Sequence, residues 1–254
     1  MSIRYLYTAP ARLLSSNTKL KKGDGSDWQT LGLQLAPSDL SGRNVCPHSS
    51  AGCRAACLFT AGRGTMPSVA NARINKTHYF IEDRDVFLAQ LHSEITRELS
   101  KALRKGKRLA IRLNVISDIP WENVLFHEQN LMELFPDVIF YDYTKSPDRA
   151  RRYADGELPS NYHLTFSRSE CNQVQVESLI GKVNIAVVFR GQLPEKYLGR
   201  PVVDGDKNDM RFLDPSGVVV GLTEKGLAKK DESGFVLEPN QPIDTSLERV
   251  DLIS

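Results

Sequence analysis

Three thiols lie within twelve residues of this chain. Cys46, Cys53 and Cys57 are spaced C-x6-C-x3-C, and the fourth cysteine, Cys171, stands far along the sequence. Thiolates are strong, soft ligands, so three in one loop can converge on one metal ion or cluster. A structural zinc site takes four ligands, often as paired C-x2-C knuckles, and this spacing is not a knuckle. Iron–sulfur clusters accept varied spacings. Three local thiolates with one open position suit a [4Fe–4S] cluster with a reactive iron. Disulfides are rare in a reducing cytosol, so a bridge is not the expected use. Cys171 and His48 are the visible candidates for a fourth ligand. A set of buried free thiols is the plain alternative. Against it, Asn44-Val-Cys-Pro-His-Ser-Ser-Ala-Gly-Cys53 is polar and turn-rich rather than core-like. Arg54-Ala-Ala-Cys57-Leu58 reads as the start of a helix, with Cys53 and Cys57 on one face.

Regular elements must hold that loop. The apolar run Leu31–Ala36 reads as a strand that feeds the cysteine loop through Pro37–Gly42. A helix is expected from Ser68 to Phe80. The clearest helix runs from Arg84 to about Lys105, with Phe87, Leu88, Leu91, Ile95, Leu99 and Leu103 at helical spacing and Gly106 as its stop. Strands and helices then alternate. Leu109–Asn114, Val138–Asp142, His163–Phe166 and Asn184–Phe189 read as strands. Trp121–Leu134, Ser146–Ala154 and Val174–Ile180 read as helices. Val202-Val203 and Val218–Leu222 add strands. Alternation of this kind predicts βαβ units and a mostly parallel sheet. The count of six or seven core strands points to a partial or irregular (β/α) barrel, with the cysteine loop after the first core strand. Residues 1–228 form a single α/β domain in this reading. Residues 229–254 form a polar C-terminal tail that can pack on it.

In such folds functional groups gather at the carboxyl ends of the strands. The segments after the strands carry Asn114, Ser117 and Asp118, then Asp142–Lys145, then Ser167–Asn172 with Glu170 and Cys171, then Arg190. Asp118, Lys145, Glu170 and Arg190 are the candidate ligand-positioning or catalytic residues on this rim. Asp118 as a helix cap, and Lys145 and Arg190 as ion-pair partners, are the structural alternatives. Asp204-Gly-Asp-Lys-Asn-Asp209 lacks the glycine and distal glutamate of an EF-hand and reads as a surface turn. At the rim, Asp204, Asp206 and Asp209 would instead meet a polar ligand.

The bulk numbers set the class. Of 254 residues, 41% are hydrophobic and 25% charged, and 33 basic against 31 acidic residues leave a net charge of +2. That excludes a histone-like polybasic protein, though not a local basic patch. No apolar run approaches the roughly 20 residues that span a bilayer. The start, Met-Ser-Ile-Arg-Tyr-Leu-Tyr, has no signal-peptide core, so a cytoplasmic place is expected. There is no P-loop, no G-x-G-x-x-G and no H-E-x-x-H.

The chain resembles a family of phage-encoded proteins described as gene-product-88-like. The resemblance rests on Leu35-Ala-Pro-Ser38, Cys46-Pro47, Ser50-Ala-Gly-Cys53, Cys57-Leu58 and Gly62-Arg-Gly64. It continues through Arg112-Leu-Asn114, Ser117-Asp-Ile-Pro-Trp121, Tyr141-Asp-Tyr-Thr-Lys145 and Asn161-Tyr-His-Leu-Thr-Phe-Ser167. It ends in Asp204-Gly-Asp206, Asp209-Met-Arg211 and Gly221-Leu222. It implies a phage origin and a role in the cytoplasm of an infected host. More distantly, the chain is similar to radical S-adenosylmethionine enzymes, which hold a [4Fe–4S] cluster on three cysteines after the first strand of a partial barrel. The spacing departs from their usual C-x3-C-x2-C. Asn114-Val-Ile-Ser-Asp118 stands where their glycine-rich cosubstrate motif would be, so S-adenosylmethionine use does not follow.

Two functional expectations result. The first is an iron–sulfur protein with its cluster on Cys46, Cys53 and Cys57 and redox or radical-type chemistry on a small molecule bound there. The second is a structural zinc protein, with Cys171 or His48 completing the site, that binds nucleic acid or a phage or host protein. The nucleic-acid version rests on the basic stretch Arg97, Lys101, Arg104, Lys105, Lys107 and Arg108.

Overall fold

A computed structural model describes residues 6–17, 20, 22 and 27–239. The part of the expected tail beyond 239 lies outside them. The strands are β1 (Leu14–Ser15), β2 (Trp28–Leu33), β3 (Arg108–Arg112), β4 (Leu125–Phe126), β5 (Gln129–Asn130), β6 (Ile139–Thr144), β7 (Tyr162–Ser167), β8 (Ile185–Phe189), β9 (Lys196–Tyr197), β10 (Arg200–Asp204), β11 (Val219–Thr223) and β12 (Val236–Leu237). The helices are α1 (Ala51–Ala55), α2 (Pro67–Glu82), α3 (Arg84–Arg104), α4 (Leu131–Leu134), α5 (Pro147–Ala154) and α6 (Gln173–Leu179).

Ten strands form one mixed, mostly parallel sheet in the order β1-β2-β3-β6-β7-β8-β11-β10-β9, with β12 also paired to β8. The expected alternation of strands and helices is present. The sheet is not closed: β1 and β9 end it as antiparallel additions at opposite edges. From β2 to β11 the strands run parallel, so their carboxyl ends share one rim.

Side-chain alternation divides the sheet into two faces. Leu31, Leu33, Leu109, Ile111, Phe140 and Leu164 join the main core with Phe87, Leu88, Leu91 and Ile95 of α3 and Tyr79 and Phe80 of α2. Phe166, Ile185, Val187, Phe189 and Val219 continue the layer over Val176 and Leu179 of α6. A parallel strand covered on both faces normally reads as continuous aliphatics, as β8 does. In β3, β6 and β7 the opposite face carries Arg112, Tyr141 and His163 instead. The turn after β10 covers them. Phe212 packs on Trp28, Tyr141 and His163, and Asp209 takes both oxygens to Arg112 Nη1 at 3.1 Å.

Two stretches differ from the sequence expectation. Trp121–Leu134 is not one helix. A single 3-10 turn over Trp121–Asn123 is followed by the β4–β5 hairpin and then by α4. His127 and Glu128 both have positive φ, the left-handed pair of a tight hairpin. Asn130 and Glu133 form a capping box that starts α4 afresh. Second, Val236–Leu237, expected in the tail, pairs with Val188–Phe189 of β8. β7 pairs only with Ile185 and Ala186 of β8. The C-terminal segment thus enters where β7 and β8 part.

Asn114, buried at the end of β3, fixes the next loop. Its Oδ1 accepts from Ser117 Oγ, Ile119 N and Trp121 Nε1, and its Nδ2 donates to Ile119 O and Asp142 Oδ2. Removing these partners strands buried polar groups at about 1–3 kcal/mol each. Asn114→Ala is expected to lower the unfolding free energy by at least about 3 kcal/mol, read by urea denaturation.

Burial raises the Asp142 carboxyl from 3.8 to about 7, against hydrogen bonds from Asn114 and Tyr162 and the charges of Arg112 and Arg149. Between those values the folded state keeps a proton that the unfolded state has released. This group's contribution is therefore full below pH 4 and falls as pH rises to about 7. Denaturation of wild type and Asp142→Asn across that window should show the wild type losing ground to the variant with rising pH. Parallel pH curves would refute the assignment.

Candidate metal centre

The loop after β2 brings its three cysteines to one place. Cys46, Cys53 and Cys57 line a small cleft of about 70 Å³ with Pro37, Ser38, Ser49, Arg54 and Phe59. All three are half-buried, whereas Cys171 is exposed. Ser50 caps the five-residue helix α1 by accepting from Cys53 N at 3.0 Å. The helix lies earlier than the residues suggest and ends before Cys57, whose ψ of 134° turns the chain into a 3-10 turn.

Glu170, from the loop after β7, anchors this helix. Its Oε2 accepts from Ser50 Oγ and its Oε1 from Gly52 N, each at 2.7 Å. A carboxylate at the first turn satisfies otherwise free N–H groups. A Cβ at Gly52 would come within 2.7 Å of Glu170 Oε2 and 2.3 Å of Ser233 Oγ, so a larger residue there would displace both side chains.

Burial controls the thiols. The Cys46 thiol is pushed up to about 12 by desolvation, against a hydrogen bond from Ser38 N–H. Burial also raises Cys57, partly offset by a backbone hydrogen bond from Phe59 and by the nearby charges of Lys145 and Arg73. A protonated thiol is a poor nucleophile at neutral pH. A metal ion would ionise such thiols on binding. Each of these two sulfurs already accepts a backbone hydrogen bond. Among the described residues no group of three or more His, Cys, Asp or Glu is placed so that it could hold a metal ion, the three cysteines included.

The remaining expected residues fall in different settings. Asp118 joins a buried network: Oδ1 accepts from Arg149 Nη1 at 2.7 Å and Oδ2 from Lys145 N at 2.9 Å. The Arg149 guanidinium also binds Glu122 through Nε and Nη2, and Tyr162 Oη. Asp118 N donates to Val45 O, which ties this network to the cysteine loop. Lys145 Nζ donates to Ser167 Oγ at 2.8 Å. Arg190 binds Glu238 and the carbonyls of Lys229 and Asp231 and so fastens the C-terminal segment. His48 is exposed and does not line the cleft. Cys171 Sγ meets Ser169 Oγ at 3.6 Å. Asp204 Oδ1 accepts from Asp206 N, Asp206 binds Thr223 and Lys225, and Asp209 binds Arg112. Of the basic stretch, Lys101 and Arg97 pair with Glu98 and Arg108 stacks on Trp28. Sequence reasoning missed Arg149, whose helical position looks like an ordinary solvated face but is buried.

The comparisons with known proteins give one positive result. The model of the family described as Gene product 88 matches residues 11–239, and the chain belongs to that family. No curated protein and no solved structure matches it. The likeness to radical S-adenosylmethionine enzymes gains no support from either search.

Loss of the Glu170 carboxylate frees Gly52 N–H and the Ser50 hydroxyl. Glu170→Ala is expected to cost about 1–2 kcal/mol of global stability. It should also speed labelling of Cys53 and Cys57 by a thiol reagent several-fold, followed by mass spectrometry. Unchanged labelling would show that Glu170 does not hold the helix.

Proposed function

We propose that this member of the gene product 88 family is an iron–sulfur protein, with a [4Fe–4S] cluster on Cys46, Cys53 and Cys57 at the mouth of a partial barrel. The observation that carries the reading is the convergence of three thiols on one cleft whose lining includes no fourth cysteine or histidine. A structural zinc site would need that fourth ligand. A cluster with one open iron does not. Support also comes from the hydrogen bonds that Ser38 N–H and the Phe59 backbone give to two of the sulfurs. Such bonds tune cluster potentials.

When bound, the cluster would supply one-electron chemistry or a Lewis-acidic iron for a small molecule in the cleft. Glu170 holds the helix that carries Cys53. Asp118 and Arg149 hold the loop against which Cys46 rests, where Cys46 Sγ lies 3.6 Å from Ile116 O. Arg190 secures the C-terminal segment, whose Phe235 and Val236 cluster with Ala56 and Cys53. These are positioning roles, and Lys145 is the candidate to face the ligand. The reducing cytoplasm of an infected host is where such a site would persist. No helix among the described residues is long and apolar enough to cross a membrane.

Anaerobic purification with iron and sulfide analysis tests the proposal. The expected product is a brown protein absorbing near 400 nm, with about four iron and four sulfide per chain for a cubane cluster. Single Cys46→Ala, Cys53→Ala and Cys57→Ala variants should lose most of it, and Cys171→Ala should keep it. A colourless protein with stoichiometric zinc, or a cluster that needs Cys171, would overturn the reading.

A further inference from the structure

We propose that residues 226–238 form a clasp over the cysteine-bearing loop, with Arg190 as its latch, and that its opening gives access to Cys53 and Cys57 while Cys46 stays covered. The clasp governs access to the thiols and is independent of what they bind.

The three thiols have different covers. Cys46 packs against the main core, where its sulfur accepts from Ser38 N–H and lies 3.6 Å from Ile116 O. Cys53 instead packs, with Ala56 of its own loop, against Ala228, Phe235 and Val236 of the C-terminal segment. Cys57 is reached through Thr60, whose Oγ1 donates to Cys57 O at 2.8 Å and accepts from Leu227 N at 3.0 Å. A Cβ on Gly226 would stand 2.5 Å from that hydroxyl oxygen and 2.9 Å from Ala61 N. The segment therefore lies directly on the turn that follows Cys57.

A clasp must move as a unit, and this segment is tied to itself. Asp231 accepts from Ser233 Oγ and from Val236 N, which joins the 3-10 turn over Gly226–Lys230 to β12. The chain before it is fixed separately, since Asp206 binds Thr223 and Lys225. The hinge falls at the next residue, Gly226, whose φ is 58°.

The attachments to the sheet gather on one residue. Arg190, at the end of β8, donates through Nη1 to Lys229 O, through Nη2 to Asp231 O and through Nε to Glu238, and its N–H donates to Leu237 O. One side chain thus holds both ends of the segment. The Arg190 and Glu238 side chains are 31% and 49% exposed, and ion pairs that open to water contribute little. β12 adds only two residues of pairing to β8, and Arg168 adds bonds to the Gly234 and Phe235 carbonyls. The apolar floor is small: Ala228, Phe235 and Val236. Segments with short ladders and few buried apolar groups open at free energies below that of global unfolding. No residue of 226–238 belongs to the main core, so that core stays closed when the clasp opens.

The test combines hydrogen exchange with iodoacetamide labelling of the metal-free, full-length protein, both read by mass spectrometry. Arg190→Ala removes the latch, and Phe235→Ala thins the floor with the latch intact. Exposed Cys171 is the internal reference. In each variant, peptides within 226–238 should exchange about ten-fold faster or more, and Cys53 and Cys57 should react faster by a similar factor. Cys46 and the amides of α3 should keep their wild-type rates. Faster exchange with unchanged reaction of Cys53 and Cys57 would show that the segment covers neither. Equal acceleration at Cys46 or in α3 would show that the segment opens only with the whole fold. Unchanged exchange in Arg190→Ala would remove the latch. Any of these three results overturns the proposal.

Discussion

The arrangement of the rim depends on one buried cation. Arg149 projects from α5 into a layer where its charge is balanced by Asp118 and Glu122 and its remaining donors reach Tyr162 and Thr144. Taking these charges out of water costs several kcal/mol per ion, and only full pairing offsets it. The arrangement therefore tolerates little displacement of any partner. Each partner comes from a different element: Asp118 from the loop after β3, Glu122 from the 3-10 turn, Thr144 from the end of β6 and Tyr162 from the start of β7. Asn114 and Asp142 extend the same network beneath it. Through the bond from Asp118 N to Val45 O, the cysteine loop inherits its position from that ion pair.

The cysteine cleft is held from two other sides. Glu170 fixes the start of the helix that carries Cys53, and the C-terminal segment closes over it. Arg168 donates to the carbonyls of Gly234 and Phe235, and Thr60 Oγ1 accepts from Leu227 N. Three loops and a late strand thus immobilise a helix of five residues, which is too short to be stable alone. The result is a preorganised cleft in which burial raises the Cys46 and Cys57 thiols and so keeps them protonated.

Most of the sheet and helix pattern was legible because buried elements repeat apolar residues at periods of two or 3.6. The apolar runs Leu109–Asn114, Val138–Asp142 and His163–Phe166 mark strands, and the stripe of α3 marks its helix in the same way. The misread stretch, 121–134, is apolar at nearly helical spacing because two short elements bury the same side. Only the paired left-handed residues His127 and Glu128 break it, and side-chain type does not announce them. Val236–Leu237 was illegible for another reason. Its two residues complete a sheet only because β7 and β8 part near Ala186, a fact carried by strands far earlier in the chain.

By itself, the sequence determined the local chemistry: three thiols close together in a turn-rich loop after a strand, with polar residues clustered where parallel strands would end. Those are matters of residue type and short-range spacing, which the chain fixes directly. It could not determine which side chains meet. Asp118, Lys145, Glu170 and Arg190 looked equivalent as rim residues. The tertiary structure made Asp118 part of a buried ion pair, Glu170 a helix anchor, Arg190 a fastener of the C-terminal segment, and Lys145 a donor to Ser167. The physical reason is that pairing and burial depend on contacts between residues tens to more than a hundred positions apart. The cost of a buried charge, and the pairing that offsets it, exist only once those contacts form.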